Sequence, residues 1–253
     1  MKGYYGLLPE RELHSYLMKS GQRNLLSSDE VIPNVLDLGS SLPPNMFQGP
    51  LGTCTAHAVS AAFRHALHSS DAPDVAISRL ELYYETRVAQ GTYPADSGTY
   101  IQKMVESLRT NGAVSEEEWP YDISKWNDQP PPGNQLQALS VRPVGVTSLD
   151  IRACLWTGKP VIVGLEIFPE FEGDEARHTG VIAMPNRRSP IAAHAMLVWG
   201  FNQIPGHFSV QNWWDNWGGS YYGKTSQAFF PEEYFELHGT DFWAIETVTG
   251  QYS

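Results

Sequence analysis

Apolar positions first recur at helical spacing from Thr55 onward, where Ala58, Ala61, Ala62, Phe63 and Leu67 fall on overlapping rows. A second helical stretch is SRLELYYETRVAQG (78–91), with Ser78 as its N-cap and a glycine at its end. A third, TYIQKMVESLRTNGAV, sets Ile101, Met104, Val105 and Leu108 on one stripe and stops at Asn111-Gly112. Before these helices, residues 1–45 are polar and turn-rich, with Pro33, Pro43 and Pro44 favouring extended or turn conformations. That stretch reads as an arm lying on a folded body, with one short helix over residues 10–19.

After the helices, NDQPPPGNQ (127–135) breaks the chain with three prolines and a glycine, and the period changes. PVIVGLEI, AHAMLVWGF, HFSVQNWW and DFWAIETVTG are short β-branched or aromatic runs separated by turns, the pattern of an antiparallel sheet, with one helix, LDIRACLWTG, inserted. A helical half followed by a β half predicts an α+β protein of two lobes with a cleft between them. The divisions fall at 1–42 for the arm, 43–132 for the helical lobe and 133–253 for the β-rich lobe. Sites favour such interfaces.

Composition narrows the function. A chain of 253 residues with 42% hydrophobic and 18% charged residues is long enough for a substantial core and is not disordered throughout. A formal charge of -11 and the lack of a Lys/Arg cluster argue against nucleic-acid binding. No run approaches the roughly 18 apolar residues of a membrane span, and the N-terminus carries Glu10, Arg11 and Glu12 rather than a signal-peptide core. Two cysteines make no disulfide framework, which points to reduced thiols. The expected setting is therefore soluble and cytoplasmic. Two lone cysteines and scattered histidines offer no metal-ligand spacing, and no cofactor is called for.

Chemistry then rests on a few positions. Cys54 sits where a Gly- and Pro-containing loop gives way to a helix, a place that lowers a thiol pKa; the bland alternative is a packed core thiol. Cys154, on the apolar face of IRACLWTG, reads as a core thiol. His194 is a polar ring within the apolar run AAHAMLVWGF, either structural or a general base. Asn212 ends an alternating strand ahead of Trp213, Trp214 and Trp217, where an amide could fix a histidine tautomer behind a shield of indoles. Gln48, upstream of the cysteine, could donate with the Cys54 N–H to a developing oxyanion. His178 is a rival base with no amide partner following it. His57, one turn past Cys54, reads as packing or shaping the cleft, and His14, His65, His68, His207 and His238 read as surface or loop residues.

Together these positions resemble the papain-like cysteine peptidases. Gln48 stands six residues before Cys54, and His194 follows Cys54 by 140 residues, within the family window of about 130–150. Asn212 opens NWWDNWGGSYYG, similar to the family's Asn-Ser-Trp-Gly segment, and ELYYETR and SGTYIQKMVESLRTNGAVSEEEWPYD are similar to its helical lobe. The resemblance covers roughly residues 43 to 243. It implies a two-lobed fold with the site in the cleft and a peptidase acting through an acyl-thioester. Cys54 is then the nucleophile, His194 the base, Asn212 its orienting amide and Gln48 the oxyanion donor, with Gly98 and Trp214 contacting a polypeptide substrate.

Departures from the family pattern are local. Leu51 and Thr55 stand where the common signature has a disulfide cysteine and an aromatic, so GTCTAHA resembles a bacterial and viral branch without the disulfides. Trp213 and Asp215 replace a serine and a glycine on the leaving-group side, and Phe47 replaces a frequent aspartate. The arm is too short for the family's long helical pro-segment. It is expected to pack across the lobes or to lie in the cleft as a built-in inhibitor. The same thioester could serve acyl transfer to an amine, and a catalytically silent binding protein on this scaffold is the reading from another class.

Overall fold

The structure, a computed structural model, describes residues 4–9, 31–44, 46–69, 73–186, 189–221 and 223–249. The helix expected over 10–19, and His14 with it, lie outside the described residues.

Helix α1 (Cys54–His68) is built from small side chains, and only Arg64 and His68 among its fifteen residues escape burial. A helix apolar on all sides belongs in a core. Accordingly α1 runs through the middle of the molecule and packs on the sheet. Helix α2 (Arg79–Ala89) starts where the Ser78 side chain accepts from the Glu81 amide, as its cap pattern predicts. Helix α3 (Ile101–Thr110) buries Ile101, Met104, Val105 and Leu108 and ends at Asn111, ahead of a left-handed Gly112.

The β half is a sheet of strands β1 (Leu36–Asp37), β2 (Gln137–Pro143), β3 (Val161–Ile167), β4 (Ala192–Phe201), β5 (His207–Gln211), β6 (Gly219–Tyr221), β7 (Lys224–Pro231) and β8 (Gly239–Thr249). Seven strands run β2-β8-β3-β4-β5-β7-β6, and β1 joins at β4; every strand pair is antiparallel. Helices α4 (Ser148–Trp156), α5 (Asp174–Thr179) and α6 (Glu232–His238) complete the lobe.

Alternation across β3 and β4 divides the core in two. Ile162, Ala195, Leu197 and Trp199 join α1 and α3 in one cluster, whereas Val161, Val163, Met196 and Val198 pack with Cys154, Phe171 and Phe230 in the other. Both faces are covered, so these strands read as unbroken apolar runs in the sequence. The α+β architecture expected from the pattern is the one found.

Two details differ from expectation. His65 is buried in α1, where its Nε2 meets the Gly158 carbonyl at 3.0 Å, so it is not a surface residue. Residues 36–37 of the arm are woven into the sheet beside Phe201 and Gly200 rather than lying on it. No helix among the described residues is long and apolar enough to cross a membrane.

Candidate active site

Cys54 is the first residue of α1, with Thr53 as the N-cap. The helix start turns the thiol toward β4, where the Ala195 amide lies 3.5 Å from Sγ. His194, the preceding residue of β4, falls on the opposite parity and sits against Trp214 and Phe171, with ring centroids 5.2 and 6.1 Å away. Its Nε2 lies 2.7 Å from Asn212 Oδ1, just past the end of β5. A carbonyl oxygen only accepts, so Nε2 carries the proton and Nδ1 keeps its lone pair. Nδ1 has no hydrogen-bond partner among the described residues.

Gln48 comes from the loop before α1 and is fully buried. Its backbone N–H donates to the Trp213 carbonyl at 3.0 Å, and its Nε2 donates to Leu51 O at 2.8 Å and Tyr4 O at 3.3 Å. The structure thus brings Cys54, His194, Asn212 and Gln48 into one neighbourhood from four segments. His178 lies elsewhere, exposed on α5 with Nδ1 2.7 Å from the Asp174 carbonyl.

The N-terminal segment fills much of this neighbourhood. The Thr99 amide donates to Gly6 O at 2.8 Å and the Leu8 amide to Thr99 O at 3.0 Å, a parallel bridge between Leu7 and Thr99. The Gly6 backbone also lies close enough to the Cys54 thiol to favour its thiolate. Tyr5 presents its ring edge to His194 at 5.7 Å and its hydroxyl donates to Glu172 at 2.5 Å. The Tyr4 carbonyl accepts from both Gln48 Nε2 and Trp214 Nε1, the latter at 3.2 Å. Leu7 is buried in a recess, close enough to Gly164 and Ile101 that a Cβ on Gly164 would meet its Cδ2 at 2.8 Å.

Glycines make this approach possible. A Cβ on Gly6 would lie 1.9 Å from Gly52 O, and one on Gly98 would lie 2.3 Å from Gly6 O. Gly98 also has φ +73, in the left-handed region. Its own amide and carbonyl are already engaged by Tyr83 Oη and Gln90 Nε2, so Thr99 makes the backbone pairing and Gly98 gives the room. Sequence reasoning did not single out Thr99, Gly6 or Leu7; a glycine between bulky neighbours in YYGLL was the only local sign.

Burial dominates the electrostatics. The Cys54 thiol is pushed up to about 11 by desolvation, against the pull of neighbouring groups on Ala195, Gly6 and Thr55. His194 is pushed down to about 4 by desolvation, against the Asn212 hydrogen bond. With the segment seated, thiol and imidazole are both neutral at pH 7. A cavity of about 700 Å³ adjoins this region, lined by Tyr4, Phe47, Pro50, Tyr121, Trp214 and Trp217 among others.

Comparisons with known proteins agree with this architecture. No protein-family model matches the chain. An uncharacterized peptidase C1-like protein of Acanthamoeba polyphaga mimivirus is 29% identical over 219 residues, covering 80% of this chain and 69% of its own. Among solved structures, xylellain, a cysteine protease from Xylella fastidiosa, superposes with a TM-score of 0.76 at 24% identity, covering 97% of this chain and 92% of its own. Procathepsin B S9 from Trypanosoma congolense gives 0.72 at 12% identity, covering 98% and 87%. The chain has the fold of the papain-like cysteine peptidases. The likeness of fold extends beyond residues 43–243, over which the motifs resemble that family, to nearly the whole length.

Proposed function

We propose that this protein is a cysteine peptidase that hydrolyses peptide bonds through an acyl-thioester and is held inactive by its own N-terminal segment. The observation that carries the reading is the His194–Asn212 hydrogen bond, one residue along β4 from the Ala195 amide that meets the Cys54 thiol. An imidazole with its proton fixed on Nε2 offers Nδ1 as the base.

When the segment leaves, water returns to the site and the penalties on both charged forms fall. Cys54 then passes its proton to His194, and the thiolate attacks the substrate carbonyl. The oxyanion that forms is met by Gln48 Nε2 and the Cys54 N–H. His194 returns the proton to the departing amine, leaving the acyl-thioester. Water, deprotonated by His194, then attacks the thioester, releasing the acid and regenerating the thiol.

The closed state is supported by the contacts of residues 4–8. Tyr4 O takes the Gln48 amide that a substrate oxyanion needs, and Gly6 stands over the thiol. Trp214 lies beside His194, which must protonate the leaving group, so the leaving-group side of the substrate runs past that indole.

The test is intact-protein mass after treatment with a vinyl-sulfone probe, alongside fluorogenic peptide hydrolysis, for wild type, Cys54→Ala and His194→Ala. One adduct on wild type, lost in the first variant and strongly slowed in the second, is expected. Equal labelling of Cys154, or no hydrolysis by any form including one with residues 1–30 deleted, would overturn the reading.

A further inference from the structure

A half-buried network that the proposed reaction does not use joins Gln48 to the residue before Cys54. The Tyr121 hydroxyl donates to the Gln48 backbone carbonyl at 2.8 Å, and Thr53 Oγ1 lies 2.6 Å from the same phenol oxygen. The phenol has one proton and gives it to Gln48, so the Thr53 hydroxyl donates to the phenol oxygen. One oxygen atom therefore ties the residue carrying one oxyanion donor to the N-cap just before the other.

The tie is itself fixed. The Tyr121 amide donates to Glu116 at 2.7 Å, and the Arg79 guanidinium lies 4.3 Å above the ring centroid. Arg79 pairs with Glu116 at 2.8 Å and donates to His57 Nε2 at 2.9 Å. That donation leaves the His57 proton on Nδ1, which is 2.9 Å from the Thr53 carbonyl. His57 also meets the Tyr121 ring edge-on at 5.0 Å. Burial and the neighbouring Arg79 charge hold His57 well below its usual pKa, so it stays a neutral donor. Thr53 is thus gripped at its side chain by Tyr121 and at its carbonyl by His57.

We infer that Tyr121, braced by His57 and Arg79, is a positioning residue that sets the spacing between the Gln48 amide and the Cys54 N–H. The inference rests on the peptidase reading. Its chemical consequence is selective. Steps that develop an oxyanion need that spacing, whereas alkylation of the thiolate by iodoacetamide, which displaces iodide from carbon, does not. Both need the N-terminal segment to open, so their ratio isolates the oxyanion site from the opening step.

The experiment compares full-length wild type, Tyr121→Phe, Thr53→Val, Gln48→Ala and the Gln48→Ala/Tyr121→Phe double variant. Three quantities are read: kcat and KM on a peptide amide, affinity for a peptide aldehyde, and the rate of Cys54 alkylation by iodoacetamide followed by peptide mapping. Tyr121→Phe keeps the ring and is expected to lower kcat about tenfold, with KM and alkylation little changed. Aldehyde affinity should fall in step with kcat, and Thr53→Val should show a smaller loss of the same kind. In the Gln48→Ala background, Tyr121→Phe should add less than about twofold, because the donor it positions is gone.

An equal loss in both backgrounds, or a parallel fall in alkylation, would assign Tyr121 a general structural role and overturn the inference. So would full kcat in Tyr121→Phe while Gln48→Ala is crippled, with the peptidase reading intact. Wild type without hydrolysis or aldehyde binding would remove the peptidase reading itself.

Discussion

The Gly6 carbonyl accepts a hydrogen bond from the Thr99 amide at 2.8 Å, joining residues 93 positions apart in the chain. The contact holds the backbone of Gly6 against Gly52 and Gly98, at a distance that only glycine allows. The first prediction follows from that spacing. Gly6→Ala places a methyl 1.9 Å from Gly52 O, a backbone atom that cannot move aside cheaply. Peptide kcat/KM and Cys54 alkylation should both rise at least about tenfold, an overlap penalty of about 1.4 kcal/mol or more. An unchanged rate with an intact fold would remove the segment from any inhibitory role.

Leu7 and its neighbour Leu8 give a paired comparison. Leu7 is buried against Gly164 and Ile101, whereas Leu8 is half-buried. Leu7→Ala loses packing of about 2 kcal/mol or more, enough to favour the open form by roughly thirtyfold. Leu8→Ala should open the site far less. Iodoacetamide labelling rates of the two variants, measured side by side, check the order.

Asn212 supplies the acceptor that fixes the His194 tautomer. Asn212→Ala leaves Nε2 buried without its partner, and kcat should fall about 10–100-fold, the range for an unsatisfied buried group. Asn212→Asp retains an acceptor oxygen and should keep more activity. Its added negative charge favours the imidazolium, so the acid limb of the pH–rate profile should move to higher pH. A profile unchanged in both variants would detach Asn212 from the base.

Stability should depend on pH with a sign set by the buried histidines. His194, lowered to about 4, and His57, lowered well below its usual value, both stay neutral in the closed fold but titrate near 6.5 when exposed. Their contribution is complete above about pH 6.5 and is lost as pH falls toward their folded values. The protein should therefore unfold at a lower urea concentration at pH 5.5 than at pH 7.5. At the alkaline end, Cys54 and Cys154 are each raised to about 11, so their contribution holds below about 9 and is lost as pH rises toward 11. A flat stability curve between pH 7.5 and 5.5 would contradict the burial of these rings.

Much of the fold could be read from residue patterns. The stripe of α3, the Ser78 cap of α2 and the Asn111-Gly112 stop all appear where the residue pattern placed them. Strands β3, β4, β5 and β8 matched apolar runs. Strands β1, β2, β6 and β7 went unread. Two residues, three residues or a mixed polar run such as KTSQAFFP carry too little pattern, and their pairing depends on partners distant in the chain. Helix α6, with the sequence EEYFELH, is only seven residues long and buries just Tyr234 and Phe235.

The four candidate site residues were legible because each has a chemically distinct type at a telling spacing, on a scaffold whose motifs could be matched. Sequence by itself determined the two halves, the helix that begins at Cys54, and the side chains available for acyl chemistry. Only the tertiary structure decided that residues 4–8 lie over the thiol, that Thr99 rather than Gly98 pairs with them, and that Tyr121 joins Gln48 to Thr53. The physical reason is that these relations are backbone contacts and buried hydrogen bonds between distant segments. Their geometry is set by how the sheet, α1 and the arm pack together, and no local run of residues encodes it.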